Sequence, residues 1–134
     1  MKKILAAIDG SEISERVLRN ARHIAEKLEA EVKVVTVVKR IRPSYHYRIG
    51  SDYALTEMVN HEAEATAKKI IEHADEIFKG FEGKYQTSLL YGEPAEELLL
   101  LAETEKPDLL IMGNRGLGSF ERVMLGSVST KVLH

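Results

Sequence analysis

Four residues toward the end of the chain stand at a spacing that suits the binding of an anion. Gly113 is followed after two residues by Gly116, after nine more by Gly126, and then at once by Ser127. Glycine lets backbone N–H groups approach an anion closely and adopt positive φ, and a helix starting near Ser127 would add unpaired amides and a favourable dipole. That chemistry fits phosphate, although tight turns alone could also account for the glycines. Two other phosphate loops do not fit. Gly113, Gly118 and Ser119 have the glycine spacing of a lysine-bearing phosphate loop, but no lysine precedes the hydroxyl. A dinucleotide fingerprint belongs after the first strand, where Asp9-Gly10-Ser11 offers a single glycine.

Other reactive residue types give weaker patterns. His61-Glu62 opens like a zinc-protease helix, but Ala65 occupies the position where the second histidine belongs, and the remaining histidines are scattered. No serine sits in a nucleophile elbow, and the chain has no cysteine, so thiolate chemistry and disulfides are excluded. Lys39, Arg40, Arg42 and Arg48 interleave with Tyr45, His46, Tyr47 and Tyr53, a mixture found where single-stranded nucleic acid binds. It is local. The formal net charge of −2 provides no broad positive field, so nucleic acid is a poor expectation, and a loop over a nucleotide or a contact with a protein partner is the simpler one.

The elements that must position the glycine loop can be read from apolar spacing. Ile4 to Ile8 is a continuous apolar run ended by Asp9-Gly10-Ser11, as expected of a strand buried on both faces. Ile13, Val17, Ala21, Ile24, Ala25 and Leu28 recur at helical spacing, with Ser11 placed to cap the helix start. Val32 to Val38 predicts a second buried strand, and Lys39 to Tyr53 then interrupts the pattern. Val59, Ala63, Ala67, Ile70, Ala74 and Ile77 predict a long second helix, and Lys84 to Tyr91 a third strand. Pro94 suits a first helical position, with Ala95, Leu98, Leu99 and Ala102 as the apolar stripe of a short third helix. Asp108 to Met112 predicts the fourth strand, from which the glycine-rich stretch leads to a last helix near Ser127.

Strands that alternate with helices pair in parallel, so the expected fold class is α/β, a Rossmann-like doubly wound sheet with helices on both faces and strand order 3-2-1-4. Ligands of such sheets bind beyond the carboxyl ends of the strands where the order reverses, which here is between the first and fourth. The 134 residues form one expected domain, with no internal repeat and no apolar run of the ~20 residues that cross a bilayer. Met1-Lys2-Lys3 and the apolar run after it imitate a signal peptide, but Asp9 ends the run after Ile8.

Gly113, Gly116, Gly126 and Ser127 match the glycine pattern of the universal stress protein family, and the resemblance extends over nearly the whole chain. It takes in Lys3-Ile4-Leu5 leading to Asp9-Gly10-Ser11, the strand Val32 to Val38, the Gly92-Glu93-Pro94 turn and Asp108 to Met112. The resemblance implies that Gly113, Gly116, Gly126 and Ser127 surround the ribose and phosphates of ATP, with Val128 and Ser129 continuing the cradle. It further implies that Asp9 and Val37 face the adenine nucleoside, with Ala7 and Met112 alongside, that Arg115 meets a phosphate, and that Mg²⁺ accompanies the phosphates. Asp9 could instead be a turn residue alone, Val37 plain core, and Arg115 an exposed loop arginine. Members of the family usually add a fifth strand used in dimer contacts, and the expectation here is that this strand is missing. The implied function is a cytoplasmic, homodimeric, ATP-binding module of a stress response that recruits a protein partner. A slow ATPase or nucleotide transferase, or a nucleotide-free structural dimer, is the alternative.

Overall fold

The computed structural model describes residues 2–39, 50–114, 120–125 and 132–133. Strand β1 runs over Lys3–Ala7 and helix α1 over Glu12–Leu28, followed by β2 at Glu31–Val38 and α2 at Gly50–Ile77. Strand β3 spans Tyr85–Tyr91, α3 spans Pro94–Glu105 and β4 spans Leu109–Asn114. Strands β1 to β4 pair in parallel in the order β3-β2-β1-β4, so the expected doubly wound sheet is present.

Alternation along the strands sorts the side chains between two layers. Ile4, Ala6 and Ile8 of the β1 segment, with Val32 and Val34 of β2, are buried beneath α1 and α2. Leu5, Val35 and Leu110 point the other way, toward Leu98 and Leu101 of α3. The deepest side chains, among them Leu5, Leu18 and Ile111, are under 2 % exposed, consistent with strands covered on both faces. Helix α1 buries Ile13, Val17, Leu18, Ala21 and Ala25, the stripe expected from its period.

Several local expectations are corrected. Helix α2 begins at Gly50, within the stretch read as an interruption, because Gly50-Ser51-Asp52 supplies start residues ahead of the apolar repeat; residues 40–49 lie outside the described ones. Val59 is 42 % exposed and Leu99 59 % exposed, so neither belongs to its helix's buried stripe. Helix α3 instead turns Leu98 and Leu101 inward, a spacing of three that serves a single short contact as well as the predicted set. The start of α3 is capped by Glu93, whose Oε2 accepts from the Glu96 N–H at 3.1 Å.

The largest difference follows β4. A glycine-rich stretch leading straight to a helix was expected there, but Phe120–Leu125 forms β5, antiparallel to β4, with Gly113 opposite Glu121. Val132–Leu133 forms β6 against β5, so the sheet continues past the edge at which the reading ended it. Phe120, Val123, Met124 and Leu125 provide the aromatic and branched content of a strand, but in six residues mixed with Glu121 and Arg122 they give neither a clean alternation nor a helical repeat. The helix expected near Ser127 falls outside the described residues.

Candidate functional site

The reversal of strand order falls between β1 and β4, and it brings together the carboxyl ends that the sequence singled out. Ala7 stands opposite Met112 across the parallel pair, and opposite Val35 on the other side. Strand β2 continues past that point to Val37, which pairs with Leu90 of β3. By alternation Ala7, Val37 and Met112 fall on the face that carries α3, while Gly113 falls on the face of α1. Val37 packs with Leu90 among the side chains around Leu5 and Val35, so part of its role is core.

Just beyond β1, the chain makes a turn that is closed by its own side chains. The Ile8 N–H donates to the Val35 carbonyl at 2.9 Å, extending the sheet by one residue. Gly10 has φ +83, the left-handed region that glycine enters without penalty. The Asp9 Oδ1 accepts from the Ser11 N–H at 2.9 Å and from the Ser14 hydroxyl at 3.2 Å. Ser14 Oγ in turn accepts from the N–H groups of Asp9 at 3.2 Å and Gly10 at 3.0 Å. Asp9 therefore is a turn residue, as one reading had it, and it stands just beyond the carboxyl end of β1.

Ser11, expected to cap α1 with its side chain, has the extended φ and ψ of a cap residue but makes no such bond, and its Oγ is buried without a hydrogen-bond partner. Its carbonyl accepts from the Ser14 N–H at 3.0 Å, so the backbone begins the helix while the carboxylate of Asp9 occupies the Ser11 N–H. Ser14 is the residue that sequence reading missed. A small polar residue inside the apolar stripe of Ile13, Val17 and Leu18 was the available signal, since a buried hydroxyl requires a partner.

Gly113 has a packing role as well as a place at the edge. A Cβ at this position would come within 2.4 Å of Ile13 Cγ2, and Ile13 is 3 % exposed. The absence of a side chain thus lets α1 lie close over the end of β4. Arg115, Gly116, Gly126, Ser127, Val128 and Ser129 lie outside the described residues.

A cavity of about 450 Å³ flanks this turn and is lined by Ile8, Gly10 and Ser14 with Thr66, Lys69 and His73 of α2. Met112 and Gly113 are not among its lining. A larger one, about 710 Å³, lies at the opposite end of the sheet, where Glu26, Glu29, Glu31 and Glu82 face it with Lys84. Four carboxylates against one ammonium make that end unsuited to phosphate. Among the described residues no group of three or more histidine or acidic side chains could hold a metal ion, and no helix is long and apolar enough to cross a membrane.

The chain and its fold have counterparts among known proteins. The chain is 35% identical over 133 residues to a universal stress protein of Methanocaldococcus jannaschii, covering 98% of this chain and 75% of that one. The solved universal stress protein UspA from Lactobacillus plantarum superposes with a TM-score of 0.72 at 19% identity, over 87% of this chain and 79% of that one. A universal stress protein solved in complex with cAMP gives 0.63 at 24% identity, over 87% and 79%. An Arabidopsis thaliana family protein with AMP bound gives 0.64 at 17%, over 88% and 80%. The model of the universal stress protein family matches residues 1–134, and this chain belongs to that family.

Proposed function

We propose that this chain binds an adenine nucleotide at the carboxyl edge between β1 and β4, and that the bound nucleotide is ATP. One observation carries the reading: the end of β1, with the Asp9 carboxylate, lies directly beside the end of β4 at Met112 and Gly113, where the strand order reverses. The turn amides of Asp9, Gly10 and Ser11 are bonded within the turn, and a carboxylate stands among them. That end therefore suits hydroxyl or amino groups of a nucleoside and repels phosphate. Phosphates then belong toward β4, where the spacing of Gly113, Gly116, Gly126 and Ser127 favours them. Two solved relatives that hold cAMP and AMP support an adenine ligand.

Ala7 leaves room for the ligand, Asp9 orients the nucleoside, Val37 and Met112 flank it, and the amides of Gly113, Gly116, Gly126, Ser127, Val128 and Ser129 hold the phosphates, with Arg115 as a cation beside them. Mg²⁺, where present, is carried by the phosphates. The chain acts in this reading as a single-domain, nucleotide-dependent regulatory module of a cytoplasmic stress response, as a homodimer that recruits a protein partner. Turnover is low, because glycine amides and a hydroxyl hold ground-state phosphates without a base that orients water.

Nucleotide released from the purified protein by acid, with titrations of ATP, AMP and cAMP, tests the reading. ATP in the released fraction and tighter binding of ATP than of AMP is the expected result. Binding of none of the three would contradict it, and phosphate release at about 1 s⁻¹ or faster would replace the module by an enzyme.

A further inference from the structure

Two polar residues are buried in the described core: Thr36 within β2 and Ser14 beneath the β1 turn. Ser14 uses its hydroxyl fully. It accepts the N–H groups of Asp9 at 3.2 Å and Gly10 at 3.0 Å and donates to Asp9 Oδ1 at 3.2 Å. A hydroxyl has two lone pairs and one proton, and all three are engaged. Two amides that would otherwise be able to meet an anion are thereby turned to the protein. The carboxylate oxygen that accepts from Ser14 also accepts the Ser11 N–H at 2.9 Å, so the side chain of Asp9 is fixed against its own turn.

We infer that Ser14 is a positioning residue that makes the β1 turn select the uncharged, hydroxyl-bearing end of a nucleotide against its phosphate end. The inference rests on the nucleotide reading above and adds to it the residue that sets the polarity of binding. The neighbouring residue supports it. Ile13 packs where a Cβ on Gly113 would fall, so two successive residues of α1 fix both sides of the crevice, Ser14 at the end of β1 and Ile13 at the end of β4. Without the Ser14 hydroxyl, the N–H groups of Asp9 and Gly10 become available to an anion, and Asp9 loses one of the bonds that hold it.

Calorimetric titration of the full chain with adenosine, AMP and inorganic tripolyphosphate tests this. In Ser14→Ala, adenosine affinity should fall about tenfold or more, the scale set by stranding buried partners, while tripolyphosphate affinity holds or rises. Ser14→Thr, which keeps the hydroxyl, should bring adenosine back to within about threefold of the unmutated chain. A purely structural role would weaken both ligands together, and that result, or unchanged adenosine binding in Ser14→Ala, would overturn the inference while leaving nucleotide binding intact. An unmutated chain that binds neither adenosine nor AMP would overturn both. Should Ser14→Ala not fold, the unmutated chain still decides. The amide signals of Asp9 and Gly10 should keep their positions and their exchange protection when tripolyphosphate is added, and their movement would contradict the inference.

Discussion

The two ends of the parallel sheet are built by different means. At the amino end, long side chains tie one element to another. Lys3 Nζ and Lys33 Nζ both donate to Glu105 Oε1, at 3.0 and 2.8 Å, joining β1 and β2 to the last residue of α3. The Lys3 N–H donates to Asp108 Oδ2 at 2.8 Å, and Tyr85 Oη to Asp75 Oδ1 at 2.8 Å. Arg22 of α1 donates to the carbonyls of Ile77 and Lys79 at 2.8 Å each, finishing the carboxyl end of α2. At the carboxyl end β1 finishes in Ala7 and Gly113 is the last residue but one of β4, and the turn between β1 and α1 is closed by the Ser14 hydroxyl and the Asp9 carboxylate, five residues apart in sequence. Stitching one end with ion pairs lets the other keep small side chains. The first end ties the layers together, and the second is the end at which the proposed nucleotide would bind.

Changing Gly113 should have the largest effect, because it strikes both packing and site. A valine there would drive its Cβ into Ile13, a core residue with little room to yield, so Gly113→Val should destabilise the fold by about 1–3 kcal/mol and abolish nucleotide binding. Guanidinium unfolding alongside ATP titration checks both. Unchanged stability with lost binding would show that the glycine serves the ligand alone.

Next in size is Glu105→Gln, which should cost about 1–2 kcal/mol by weakening two charge-assisted bonds, with nucleotide affinity unchanged. Hydrogen bonds from Lys33 and then Lys3 hold the carboxyl of Glu105 below its ordinary value of 4.5. A carboxyl lowered in the folded state adds stability above that ordinary value and loses it as the pH falls through the folded value. The gap between the original chain and Glu105→Gln should therefore be full at neutral pH and close on acidification below about 4.5. A gap independent of pH would remove the ion pairs from the account.

Gly10→Ala should cost about 1 kcal/mol, since a residue with a Cβ is strained at φ +83 while the Ile70 Cδ1 it meets at 2.7 Å is the movable end of its side chain. Unlike Glu105→Gln, it should also weaken AMP binding. Least affected should be Arg19→Ala, whose partner Glu15 lies one helical turn away on an exposed face. Thermal unfolding should shift by less than about 0.5 kcal/mol equivalent.

The legibility of each region in the sequence follows from how local its determinants are. Val32 to Val38 and Leu109 to Met112 are dense apolar runs, so their burial and parallel pairing could be read directly, and with them the meeting of β1 with β4. Phe120–Leu125 could not, because its antiparallel pairing with β4 is a tertiary choice that six mixed residues do not announce. Asp9 and Gly113 could be singled out as candidate site residues from type and position. The second job of Gly113, making room for Ile13, was not, since a contact one hundred residues apart in sequence has no local signature. Ser14 was legible only as a polar residue inside an apolar stripe; its partners, the N–H groups of Asp9 and Gly10, are set by the geometry of the turn and have no signature in the stripe itself.

Amide chemical-shift mapping during titration with ATP tests the contrast between the two ends most directly. The largest movements should fall at Ile8 to Ser11 and at Met112 and Gly113, while residues 25–31 and 80–84 around the acidic cavity hold still. Movements centred on that cavity, or none at either end, would contradict it.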